Sequence, residues 1–202
     1  LEFQSVTRRF LWPLLLLACA LTSGCASLLG TTALPVMLPS DWESRRGALQ
    51  SWPRFELRGR VAVASGEEGF TASLRWAQRE AASKLELDGP LGVGGLRLEF
   101  NHGRLADEIA RADLERRLGF SLPVDSLRYW MLGVPDPAHS ALERVADGHP
   151  RLESLQQQGW TVVFPAYAKV SGVNYELPQR IEATREGLRL RLLVDTWGAS
   201  TR

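Results

Sequence analysis

Hydrophobic positions along this chain change their period twice. Between Phe55 and Phe100 they alternate with polar ones: Phe55, Leu57, Val61 and Val63 against Glu56, Arg58 and Arg60; after a turn at Ser65–Gly69, Phe70, Ala72, Leu74 and Trp76 against Thr71, Ser73 and Arg75. Leu85 and Leu87 then alternate with Lys84 and Glu86, and Leu96, Leu98 and Phe100 with Arg97 and Glu99. Period two broken by turn residues predicts an antiparallel meander with one dry and one wet face. The middle is helical. Asp107–Leu118 carries Ile109, Leu114 and Leu118 and ends at Gly119, a helix-terminating glycine. Val124–Leu132 places Leu127, Trp130 and Met131 at i, i+3 and i+4, on one face, before Gly133 and Pro135 stop it. Strands resume near 142–146, 152–156, 161–167, 180–184 and 188–195, the last two joined across Arg185-Glu186-Gly187, a hairpin signal.

A third helix is predicted upstream, over about 41–51, where Ser40 and Glu43 have capping-box spacing and Pro53 ends the run. Its apolar stripe is thin, only Trp42 and Leu49. Strands, helices, strands is the order. A sheet of about nine to eleven antiparallel strands curls, because wide twisted sheets rarely stay flat. Two short amphipathic helices can cover its concavity but hardly fill it. The predicted fold is therefore mainly β with a few α-helices: an incomplete antiparallel β-barrel with a helical lid over an apolar cavity. Leu74, Trp76, Leu85, Leu87, Leu98 and Phe100 from the dry face, with Leu127, Trp130 and Met131 from the lid, are expected to line it. Of the seven tryptophans, Trp76 and Trp130 are the cavity candidates, and most others belong to the core.

The first residues follow another pattern. Arg8 and Arg9 precede the apolar run Phe10–Leu21, then Leu21-Thr22-Ser23-Gly24-Cys25. A basic start, a short apolar stretch and small residues describe an export signal, too short for a spanning helix, which needs about 20 apolar residues. Its ending resembles a bacterial lipobox, in which the cysteine is acylated and becomes the first mature residue. Thr22 departs from the usual leucine, and Cys19 is a second candidate after a shorter apolar run. On this reading 1–24 is a lipoprotein signal peptide, 25–39 a lipid-anchored tether and 40–202 one folded domain. The only prosthetic group expected is the covalent lipid at Cys25. No Asp follows Cys25, which in the enterobacterial pattern implies passage onward to the outer membrane.

Charge and chemistry narrow the function. The chain carries 24 basic and 23 acidic residues, a balance unlike that of a nucleic-acid binder. Two cysteines are too few for a four-thiolate zinc site, and His102, His139 and His149, beside Gly, Ser or Pro in separate loops, lack metal-ligand spacing and read as surface residues. Gly92-Val93-Gly94-Gly95 leads into an alternating run rather than a helix, so it reads as turn glycines, not a phosphate cradle. No G-x-S-x-G or H-E-x-x-H occurs, and an enzyme is not expected. Asp88-Gly89-Pro90-Leu91-Gly92 is harder to place: Leu91 either folds back onto the sheet or protrudes as an apolar point, away from the cavity.

Four stretches carry a family resemblance: Leu57-Arg58-Gly59-Arg60, Gly89-Pro90-Leu91-Gly92, the long Leu122-Pro123-Val124-Asp125-Ser126-Leu127-Arg128-Tyr129-Trp130-Met131-Leu132-Gly133-Val134-Pro135, and Asp195-Thr196-Trp197. From about Trp42 to Trp197 the chain resembles the LolB family of outer-membrane lipoprotein receptors. The resemblance implies a lipid-anchored, monomeric half-barrel on the periplasmic face of a Gram-negative outer membrane. It would accept acylated lipoproteins from the periplasmic carrier LolA and insert them into the inner leaflet of that membrane, with Leu91 as the membrane-insertion loop. Without a nucleotide motif, transfer would run downhill by differential affinity. A lipid-anchored envelope hydrolase and a structural envelope lipoprotein with no ligand are the alternatives.

Overall fold

In the computed structural model, residues 41–89, 95–118 and 120–198 are described. The chain divides into two units, Leu1–Met37 and Leu38–Arg202, and all described elements belong to the second. In chain order they are α1 (Trp42–Gln50), β1 (Arg54–Ser65), β2 (Glu68–Arg79), β3 (Ala82–Asp88), β4 (Leu96–Asn101), β5 (Arg104–Leu105), α2 (Glu108–Leu118), α3 (Val124–Met131), β6 (Ala141–Val145), β7 (Leu152–Gln157), β8 (Trp160–Lys169), β9 (Glu176–Arg185) and β10 (Leu188–Gly198).

All ten strands form one sheet in the order β5-β4-β3-β2-β1-β10-β9-β8-β7-β6. Every neighbouring pair is antiparallel. The first and last long strands pair at the centre, and two meanders run outward from them to the edges β5 and β6. A closed barrel would zip those edges together; here the chain between them runs through α2 and α3 instead, and the sheet stays open. The predicted half-barrel under a helical lid is what the chain forms. The alternating runs fall within β1 to β4, and the predicted hairpin loop is Glu186-Gly187, both at positive φ (39° and 82°). The two-residue β5 carries no readable period.

Two helices differ in detail from expectation. Asp41, not Ser40, caps α1: its Oδ1 accepts from the Ser44 amide at 2.7 Å. In α2, Ile109 is 79% exposed while Leu114 is buried. Five residues apart, they cannot share a face at 3.6 residues per turn. Asp107 accepts from the amides of Ile109 (2.8 Å) and Ala110 (3.3 Å) and so holds the start of α2.

The centre of the sheet bends at Gly59. Arg58 faces Thr196 but Gly59 faces Val194, so Asp195 is the extra residue of a bulge. A Cβ on Gly59 would lie 2.2 Å from the Leu193 carbonyl oxygen, which only glycine avoids. Leu57 lies opposite Trp197, and Arg60 pairs with Asp195 at 2.8 Å. The two short stretches at 57–60 and 195–197 are thus one structural feature.

Candidate functional site

The concave side of the sheet is filled unequally. Toward β7–β9, Leu152, Leu155, Trp160, Val162, Phe164, Leu177 and Ile181 are buried in a cluster that also holds Leu49 of α1 and Leu132 and Val134 after α3. Toward β1–β4 a cavity of about 280 Å³ remains. Val61, Val63, Ala72, Leu74, Trp76, Leu85, Leu87, Leu96, Leu98, Leu190 and Leu192 wall it from the sheet. Leu114, Phe120, Leu122, Val124, Leu127 and Met131 cover it from the helices and the segment between them. Ser65, Glu68, Gly69 and Thr71 at the β1–β2 hairpin and Gly89 after β3 form a polar rim at one end. Glu68 is the one ionisable side chain among the described lining residues.

Seven of the nine side chains expected at a cavity come together there: Leu74, Trp76, Leu85, Leu87, Leu98, Leu127 and Met131. Two do not. Phe100 is buried at the opposite end of β4, tilted against Trp76 at 5.2 Å between centroids and paired in register with Leu105 of β5. That end is sealed by packing. Trp130 turns toward the other half, where its ring meets Trp160 at 6.3 Å and its Nε1–H donates to Gln157 Oε1 at 2.9 Å. A buried indole N–H needs an acceptor, and the apolar cavity has none to offer. Cys25 and Leu91 lie outside the described residues. Gly89 and Leu96, which precede and follow Leu91 in sequence, line the cavity.

The lid is positioned by polar contacts that its apolar pattern did not announce. Gln157, 2% exposed, accepts from Trp130 and from the Asp136 amide (3.0 Å), and its Nε2 donates to the carbonyls of Asp136 and His139, each at 2.9 Å. Ser126 donates to Asp136 Oδ2 at 2.7 Å and accepts from Gln158 at 2.6 Å. These bonds fasten α3 to the end of β7, one strand in from the β6 edge. At the other edge Asp125 accepts from the Leu105 amide of β5 and from Arg111 of α2, both at 2.8 Å. Helix α3 therefore links β5, one free edge of the sheet, to the end of β7, the strand next to the other edge. Gly133, at φ +73°, ends it where a Cβ would meet Pro178 and the Tyr167 hydroxyl at 2.9 Å. The long 122–135 stretch is this bridge. A glutamine on the dry side of β7 was the available signal, because a buried amide must be satisfied.

Helix α1 clamps the filled half. Trp42 and Arg46 both bind Glu143 of β6, Arg46 at 2.8 Å. Arg45, 4% exposed, donates to the Glu176 carbonyl and lies over Tyr167 and Tyr175 at 6.0 and 5.4 Å. Burial holds the Arg45 guanidinium below its ordinary range and pushes the Tyr167 phenol well above its own. The three histidines are exposed. Among the described residues no group of three or more His, Cys, Asp and Glu could hold a metal ion. The site can do one thing well: take up aliphatic chain, at about 0.8 kcal/mol per methylene buried.

The model of the family described as "Outer membrane lipoprotein LolB" matches residues 53–197. A Nitrosococcus oceani outer-membrane lipoprotein LolB is 34% identical over 201 residues, covering 91% of this chain and 95% of its own. One from Pseudomonas savastanoi pv. phaseolicola is 32% identical over 189 residues, covering 88% and 91%. Among solved structures, a LolA superfamily protein from Nitrosomonas europaea superposes with a TM-score of 0.52 at 8% identity, over 80% of this chain and 94% of that one. It shares the fold. The chain belongs to the LolB family of lipoprotein-sorting outer-membrane lipoproteins of Gram-negative bacteria.

Proposed function

We propose that this protein receives acylated lipoproteins from the periplasmic carrier LolA, holds acyl chain in the β1–β4 cavity and inserts the cargo into the outer membrane. The observation that carries this reading is the unequal filling of the concave face: one half is closed by aromatic and aliphatic packing, the other is left as an apolar cavity under a helix. A lipoprotein's chains cannot cross water bare, so each stage of sorting needs such a wall. Transfer is driven by differential affinity: the carrier holds the chains less tightly than this cavity, and the bilayer holds them most tightly.

Cys25 is proposed as the acylated residue and Leu91 as the side chain that enters the membrane. What supports the role of Leu91 is that Gly89 and Leu96, before and after it in sequence, line the cavity. The experiment mixes the protein with a lipoprotein–carrier complex and then with liposomes, for the native chain and Leu91→Glu. Capture by both, with incorporation by the native chain alone, supports the reading. No movement of lipoprotein off the carrier removes it, and normal incorporation by Leu91→Glu removes the role of that turn. Mass spectrometry of the membrane-extracted protein checks the anchor: acyl mass is expected on a peptide beginning at Cys25, and an unmodified Cys25 contradicts it.

A further inference from the structure

One residue of the Leu57–Arg60 stretch has no role in the fold. Leu57 is core, Gly59 permits the central bend and Arg60 pairs with Asp195, but Arg58 is exposed and makes no hydrogen bond or ion pair among the described residues. Its direct cross-strand neighbour on β2 is Arg75, equally exposed and equally without a partner. Like charges directly opposite on a sheet are destabilising. The surrounding carboxylates are engaged elsewhere. Glu86, opposite Arg75 on β3, binds Arg97 at 2.9 Å and Lys84 at 3.3 Å. Glu56 binds Arg79 at 3.3 Å, and Glu182 binds Arg180 at 2.6 Å and Arg191 at 3.3 Å. Two guanidinium groups are left side by side on the convex face of the same strands that wall the cavity.

We propose that Arg58 and Arg75 form a phosphate clamp that docks the back of the cavity wall on the lipid headgroups of the outer membrane. Guanidinium forks match phosphate oxygens in a bidentate way, and two from adjacent strands can share one headgroup. A bilayer is favoured over a protein partner by what the face lacks. Among the described residues the exposed large apolar ones are Ile109, Leu142, Val145 and Val163, none of them on β1–β4 or β10. A protein interface is centred on buried aromatic or aliphatic anchors, whereas a headgroup layer needs only charge. A lipid-anchored domain meets that layer at high effective concentration, so two arginines suffice to orient it. Docked this way, the domain keeps its concave side free on the opposite face. The inference uses the membrane anchorage of the family and is independent of cargo transfer.

The test reconstitutes the mature acylated protein, spin-labelled through Ser73→Cys, in vesicles of phosphatidylethanolamine with phosphatidylglycerol that carry a headgroup-chelated nickel lipid. No lipoprotein cargo or carrier is present, so failure here leaves the transfer reading untouched. Ser73 is exposed on the same face, opposite Arg60. Nickel contact is expected in the native chain, weakening in high salt. It should fall roughly tenfold or more in Arg58→Gln/Arg75→Gln. The charge-matched Arg104→Gln/Arg144→Gln should keep it. Because neither clamp arginine has a partner among the described residues, the double variant should unfold at no lower urea concentration than the native chain. Absence of nickel contact in the native chain, equal loss in both double variants, or no loss in the clamp variant overturns the proposal. So does a clamp variant whose only defect is binding to a soluble acidic protein.

Discussion

Tyr167 shows how a single buried group ties the filled half of the fold to pH. Its hydroxyl donates to the Leu152 carbonyl at 2.8 Å, and Arg151 lies over its ring at 4.9 Å. Burial raises its pKa above the ordinary 10.0, although Arg45 and Arg151 pull the other way. In the unfolded chain the phenol ionises near its ordinary value; in the folded chain it stays protonated. The stabilisation from this difference is therefore complete below about pH 10 and is lost as pH rises beyond it. Urea midpoints should hold steady through neutral pH and fall on the alkaline side. Tyr167→Phe should cost about 1 kcal/mol at neutral pH, through the hydrogen bond, yet flatten the alkaline fall. An alkaline slope identical to that of the native chain would show that Tyr167 does not set it. Gly59 is the opposite kind of residue: it contributes no interaction, and its value is the space that any Cβ would take from the Leu193 carbonyl.

At the scale of elements, α3 matters because it spans an opening, and Gln157 is the group that fixes one end of it. Gln157→Leu would leave the Trp130 N–H, the Asp136 N–H and the His139 carbonyl unsatisfied and take one of two donors from the Asp136 carbonyl. The expected loss is on the order of 3 kcal/mol by urea unfolding, with faster hydrogen exchange in Val124–Met131 than in β1. A loss below about 1 kcal/mol would mean that apolar packing alone holds the helix. What was legible in the chain follows from the same division. Alternation located β1–β4 because each strand has one wet face, and Leu127 and Met131, four apart, were correctly placed together. Trp130 was misassigned because helical spacing reports a face, not which neighbour that face meets; its indole N–H, satisfied by Gln157 one hundred degrees around from Met131 on the helix, decided the matter. Phe100 was misassigned because β5, the strand that seals its end, is two residues long. Val61, Leu190 and Leu192 were missed as liners because strand order, with β1 beside β10, is set by long-range pairing that no local pattern encodes.

At the scale of the whole molecule, an open sheet with its first and last long strands paired at the centre supports two different halves. One is closed by α1, Trp160 and the Gln157 contacts; the other keeps a cavity whose cover includes α2, with Ile109 exposed and Leu114 inward. A cavity of about 280 Å³ lies just below the roughly 300–1,000 Å³ of ordinary ligand pockets, so the proposed uptake of acyl chain would require the cover to yield. The most direct measurement places a photo-crosslinking side chain at Leu127, on the cover facing the cavity, and in a second protein at Leu142, exposed on the β6 edge. Each is mixed with a lipoprotein–carrier complex and illuminated. The predicted result is a crosslink to the lipoprotein from position 127 alone, only when the lipoprotein is acylated. Equal crosslinking from 142, or crosslinking from 127 regardless of acylation, would contradict a binding site for acyl chain in the β1–β4 half.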